Sequence, residues 1–134
     1  MNELQQEELQ HIVRFIILPY VKKVIELDLS NIKKISFKLP GPYIRLLELT
    51  MARVSYDLKE SKFFLRRASI KVMEGKQSRG YIEYTIYHRG YEKRFNYSVD
   101  RIRNKVENLL YSYLSNPHPG NVLANQQNQR FKSK

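Results

Sequence analysis

The sequence contains no cysteine and no tryptophan among its 134 residues. Without thiols there is no disulfide, no thiolate zinc site and no cysteine nucleophile. Histidine occurs only at His11, His88 and His118, far apart and without a metal-ligand spacing, so no metal site is expected. The few glycines form neither a phosphate loop nor a dinucleotide fingerprint, and no cofactor is indicated. No serine sits in a nucleophile elbow. The longest apolar run, Phe15 to Leu18, is four residues, against the ~18 a membrane span needs. The opening MNELQQEELQ carries Glu3, Glu7 and Glu8 where a signal peptide carries positive charge. The expectation is a cytoplasmic protein with no membrane span and no small-molecule cofactor.

Acidic residues are also scarce. Lysine and arginine number 24 against 13 aspartates and glutamates, a net charge of +11. The excess is unevenly placed. Residues 1–28 have a net charge of −2, whereas residues 62–105 carry twelve bases and four acids, a net of +8. Such a footprint attracts a polyanion: nucleic acid, anionic lipid or an acidic protein face. The plain alternative is that the charge serves solubility alone.

The length suits one domain. Residues 3–29 read as an amphipathic helix: Leu9, Ile12, Val13, Ile16, Ile17, Tyr20 and Val24 fall at spacings of three and four. Pro19 predicts a kink or break at Leu18, because its ring displaces the preceding turn and it lacks an N–H. Ser30-Asn31 signals a stop. Ile35, Phe37 and Leu39 then alternate with polar residues, as in a short extended piece ending at Pro40-Gly41-Pro42. A second helix begins there, with Gly41 as cap and Pro42 first inside. Its apolar seam runs Ile44, Leu47, Met51, Val54, Leu58, Leu65, broken at Ser61. The seam suits an intramolecular core better than a coiled coil. Arg45 with Glu48 and Arg53 with Asp57 read as helix-neighbour ion pairs.

Residues 67–73 alternate as a strand, and Glu74-Gly75-Lys76-Gln77-Ser78 reads as a polar loop. Residues 80–88 and 91–98 read as two antiparallel strands joined at Arg89-Gly90. A two-residue loop pairs His88 with Tyr91, Ile86 with Lys93, Tyr84 with Phe95 and Ile82 with Tyr97. It leaves Tyr87 opposite Glu92 and Thr85 opposite Arg94 on the other face. Arg89 then needs a positive φ, so a bulged or three-residue loop is the alternative. Ser98 caps a last helix over 99–114. Residues 116–134, rich in asparagine and glutamine, read as a disordered tail. The fold class is therefore α+β, a three-stranded antiparallel meander packed against helices, in the order α, short extended piece, α, β, β, β, α. The single domain spans 1–115, with its core in 42–114.

The candidate surface is the basic, tyrosine-rich hairpin together with the start of the last helix: Tyr81, Tyr87, Arg89, Arg94, Arg101 and Arg103. Exposed tyrosines on a sheet can stack bases, and arginines can hold phosphates. Tyrosine is also a strong strand former, which explains most of these residues without a ligand. Arg79-Gly80-Tyr81 starts like an RNA-recognition signature, but Ile82 and Glu83 depart from it. The helix-strand-strand-strand-helix order from Pro42 to Leu114 is similar to double-stranded-RNA-binding domains. Ser98 to Arg103 lacks that family's glycine-rich turn and lysine cluster, so no binding residue carries over. The run Tyr84 to Tyr97, with Arg89-Gly90-Tyr91 before Phe95, resembles small uncharacterised proteins of Gram-positive bacteria and their mobile elements.

Two functions lead. One is a non-catalytic accessory protein binding nucleic acid through the hairpin face. The other is a regulatory protein-interaction module, with a homodimer as one form. A metal-independent ribonuclease built on His88, Arg89, Tyr87, Glu83 and Arg94 comes third, since His88 faces away from Tyr87, Glu83 and Arg94 in this register.

Overall fold

The computed structural model describes residues 3–116. The chain runs α1 (Gln6–Ile32), α2 (Gly41–Arg67), β1 (Ile70–Ser78), β2 (Tyr81–His88), β3 (Tyr91–Ser98) and α3 (Val99–Ser115). The sheet is antiparallel in the order β1-β2-β3. This is the α+β meander that the sequence pattern implies. Residues 117–134, read as a disordered tail, lie outside the described residues. Asn116 instead closes α3, its side-chain amide donating to the Ser112 carbonyl and its backbone N–H to that of Tyr113.

The centre of the core is α1. Ile17, Leu18, Val21 and Ile25 are fully buried, and Ile12 and Ile16 nearly so. The helix continues through Pro19 rather than breaking at Leu18. Proline inside a helix costs about 3 kcal/mol, and the buried side chains on either side of it offset that cost. Ser30-Asn31 falls within the last turn rather than beyond it. At the other end the Glu8 carboxylate accepts the Gln5 backbone N–H at 2.8 Å, satisfying one of the orphan donors of the first turn.

The short extended piece is not a strand. Residues 33–40 form a turn-rich connection, and among the described residues no strand pairs with it. The Phe37 N–H donates locally to the Ile35 carbonyl at 3.0 Å, and Ile35, Phe37 and Leu39 are all exposed. Pro40 caps α2, so Gly41 and Pro42 both lie inside its first turn. The α2 seam is intramolecular: Val54, Leu58 and Leu65 are buried in the same cluster as the α1 side chains. Ser61, which interrupts the apolar seam, is buried with its Oγ 2.9 Å from His11 Nδ1.

Strand β1 extends through the stretch that reads as a polar loop. Its register shifts between Glu74 and Gln77, so residues 74–78 carry a bulge and then continue pairing with β2. Gly75 suits the bulge: a Cβ there would meet Glu83 Oε1 at 3.1 Å and the Glu83 carbonyl oxygen at 3.3 Å. Between β2 and β3 the pairing is the one the alternation requires, from His88 with Tyr91 to Ile82 with Tyr97. Ile82, Tyr84, Ile86 and His88 are buried on the core face, joined by Tyr97 and the half-buried Phe95. Tyr20 of α1 reaches this face, its hydroxyl 3.5 Å from that of Tyr84. The closing helix α3 is capped by Ser98, whose Oγ accepts the Arg101 N–H at 3.0 Å.

Candidate functional site

Strand alternation sends one set of β-side chains away from the core. Across the outer face, Lys71, Tyr87 and Glu92 form one cross-strand row, and Met73, Thr85 and Arg94 form the next. Tyr81 lies toward the other end of β2 between Ser78 and Ser98. Tyr81 and Tyr87 are 50% and 41% exposed, and Met73 is exposed beside them. The Arg94 guanidinium pairs with Glu92 at 2.9 Å on this open surface. An exposed pair of this kind contributes little to stability and leaves the arginine free to exchange partners.

Arg89 is placed differently. It takes φ 50° in the hairpin turn, and its guanidinium turns back to α1. There it donates to Glu8 Oε2 at 2.8 Å and to His88 Nδ1 at 3.1 Å. Arginine has no acceptor, so the His88 Nδ1 is the accepting nitrogen. The Glu8 carboxyl is held below the usual carboxylate range by the Gln5 N–H first and by Arg89 after it, against the opposing effect of burial. Arg89 is therefore the tie between the hairpin tip and the first turn of α1. Nothing in the local sequence connects residues 8 and 89; the contact follows from α1 crossing the sheet.

The remaining two arginines stand apart from the tyrosines. Arg101 lies over the Tyr97 ring at 5.7 Å, on the core side of β3. It stands beside a cleft of about 380 Å³ that is lined by Ile12, Ile16, Ile86 and Phe95. Arg103 is exposed on α3. Of the six candidate residues, Tyr87 and Arg94 are brought close on one face with Tyr81 further along it. Arg101 and Arg103 belong to other surfaces, while Arg89, its guanidinium turned to Glu8, still borders a shallow pocket with Tyr87 and Lys71.

Two polar clusters between helices carry no signature in the sequence. His11 stacks on Phe64 with ring centroids 4.0 Å apart while bonding Ser61. Burial lowers its imidazole, with Arg14 acting in the same direction. Tyr113 of α3 donates its hydroxyl to Asp57 Oδ2 at 2.5 Å, and Arg53 donates to the Tyr113 backbone carbonyl at 2.9 Å. Arg53 and Asp57 thus serve α3 rather than each other. Burial raises the Tyr113 phenol and the Asp57 bond raises it further. Both clusters join helices. Among the described residues no three histidines, aspartates or glutamates come together as a metal site would require.

Also among the described residues, no helix is long and apolar enough to cross a membrane. No solved structure matches the chain, so the likeness to double-stranded-RNA-binding domains stays at the order of elements. The uncharacterised protein YhjD of Bacillus subtilis (strain 168) is 32% identical over 117 residues, covering 87% of this chain and 98% of that protein. This accords with the resemblance to small Gram-positive proteins carried by the hairpin. Residues 3–118 match the YhjD protein family, and the chain belongs to that family.

Proposed function

We propose that this is a small basic accessory protein of the cytoplasm, non-catalytic, that binds nucleic acid across the outer face of its sheet. The observation that carries the reading is the pair Tyr81 and Tyr87, exposed on a face where Lys71 and Glu92 flank Tyr87 and Arg94 lies in the next row, opposite Thr85. Two tyrosines six residues apart on one strand are separated by about 20 Å. Unstacked bases can be laid on such rings, with Arg94 between them and Lys71 beside Tyr87 for phosphate. Single strands suit this surface better than a duplex, because the tyrosines offer ring faces rather than a helix for a groove. Arg89, engaged by Glu8, is given the role of an anchor in this reading rather than of a phosphate contact. The ribonuclease reading is the weaker one, since His88 is buried on the opposite face from Tyr87.

The test is fluorescence anisotropy of the full chain with labelled single-stranded RNA, single-stranded DNA and duplex over a salt series. Affinity is expected to fall steeply with salt, since each phosphate contact releases counterions. Tyr87→Ala and Arg94→Glu should each weaken binding by roughly tenfold. Absence of binding at low salt to all three probes would remove the proposal.

A further inference from the structure

We infer that the connection between α1 and α2 is an anionic-membrane docking tip, a property separate from the sheet face. Residues 29–47 contain no aspartate or glutamate, and Lys33, Lys34, Lys38 and Arg45 fall within them. The same segment exposes large apolar side chains: Ile35 at 55%, Leu39 at 70%, and Phe37 and Tyr43 near half. The rings of Phe37 and Tyr43 lie against each other, centroids 5.3 Å apart. Four large apolar side chains exposed on one short segment, two of them in contact, call for an occupant.

Position and charge select the bilayer. Tyr20 meets the sheet at Tyr84, and Ile32 lies twelve residues further along α1. At 1.5 Å per residue the end of α1 is about 18 Å beyond that contact. The connection therefore stands at the end of a helical hairpin, away from the sheet. Apolar side chains interleaved with lysines on such a tip can enter the headgroup layer while the ammonium groups meet anionic lipid. A bilayer accepts projecting side chains without a complementary surface. Each lysine near an anionic membrane strengthens binding by about fivefold.

The absence of tryptophan makes the test direct. The full-length Phe37→Trp protein carries one indole, at the tip, and is titrated with vesicles of phosphatidylcholine alone or with about one-third phosphatidylglycerol. A blue shift and quenching by brominated acyl chains are expected with the anionic vesicles only. The triple change Lys33→Gln, Lys34→Gln, Lys38→Gln should reduce vesicle affinity on the order of a hundredfold. Co-sedimentation of the triple change Ile35→Ser, Phe37→Ser, Leu39→Ser should fall to background with circular dichroism unchanged. Sedimentation that survives the serine changes would overturn the inference, leaving general basic attraction. A concentration-dependent dimer abolished by the same changes, without vesicle binding, would also overturn it and make the tip a self-association site. Tyr87→Ala should leave vesicle binding intact, so failure here and failure of the nucleic-acid reading are separate results.

Discussion

Arg-Gly-Tyr occurs twice, at 79–81 and 89–91, and each copy joins two strands of the sheet. The backbones agree closely. Arg79 and Gly80 have φ of 54° and 81°, and Arg89 and Gly90 have 50° and 79°. Positive φ at both central residues is the requirement of a type I′ turn, whose twist matches that of the flanking strands. The arginines have different surroundings. Arg89 meets a buried carboxylate from α1, whereas Arg79 makes no ion pair among the described residues. The same three residues thus make the same turn twice, but only Arg89 ties its turn to a helix through a side chain; at the other turn the Gly80 carbonyl accepts the Val99 N–H of α3 at 2.8 Å. Local geometry follows from the triplet; the anchor follows from what α1 brings opposite it.

The largest test of this difference is removal of each guanidinium. Arg89→Ala leaves the Glu8 carboxylate with one backbone donor and no cation, in a buried setting. A hydrogen bond to a charged group typically contributes roughly 1.5–3 kcal/mol. Arg89 is 40% exposed on its side chain, so a loss of about 2 kcal/mol is expected in urea unfolding. Arg79→Ala should change stability by less than about 0.5 kcal/mol. Equal losses at the two positions would show that the Glu8 contact contributes nothing beyond turn geometry.

Next in size are substitutions of the turn backbone itself. Gly80→Ala and Gly90→Ala each place a Cβ on a left-handed residue, at a cost of about 1–2 kcal/mol. Neither Cβ would meet a neighbouring atom within 4 Å, so the two losses should be alike. Arg79→Asn should stabilise by a few tenths of a kcal/mol, since Asn-Gly is the favoured pair for this turn. Arg89→Asn should destabilise, because the lost ion pair outweighs the same backbone gain. Thermal unfolding of the four variants reads both halves of the comparison.

The contrast also marks what the sequence made legible. The β2–β3 register could be read residue by residue, because alternation of Ile82, Tyr84 and Ile86 with polar neighbours permits only one pairing across a two-residue turn. Residues 74–78 could not, because Glu-Gly-Lys-Gln-Ser has the composition of a loop and becomes strand only by pairing with β2 around the Gly75 bulge. The alternating Ile35, Phe37 and Leu39 misled in the reverse sense, since a period of two makes a strand only beside another strand. For the candidate site, alternation separated Tyr87 and Arg94 from the core. It gave no hint that Arg89 is engaged by Glu8, or that Arg101 lies on the other side of β3. The position of α1 decides the first, and the path of α3 after Ser98 decides the second.

The smallest expected effect is the pH dependence of the anchor. The folded Glu8 carboxyl lies below its ordinary value of 4.5, through the Gln5 N–H first and Arg89 after it, against the opposing effect of burial. A lowered carboxyl contributes stability that is complete above its unfolded value and is lost as pH falls through the folded one. Arg89→Ala removes part of that lowering, so less is left to lose on acidification. The stability gap between the parent chain and Arg89→Ala should therefore narrow between about pH 6 and pH 3. The gap to Arg79→Ala should stay flat over the same range. His11, whose imidazole is lowered chiefly by burial, also withdraws stability as pH falls. It does so in all three proteins and cancels from both differences. Urea unfolding at several pH values measures the two gaps. A gap to Arg89→Ala that does not change with pH would mean that the guanidinium acts by packing over α1 rather than through the Glu8 charge.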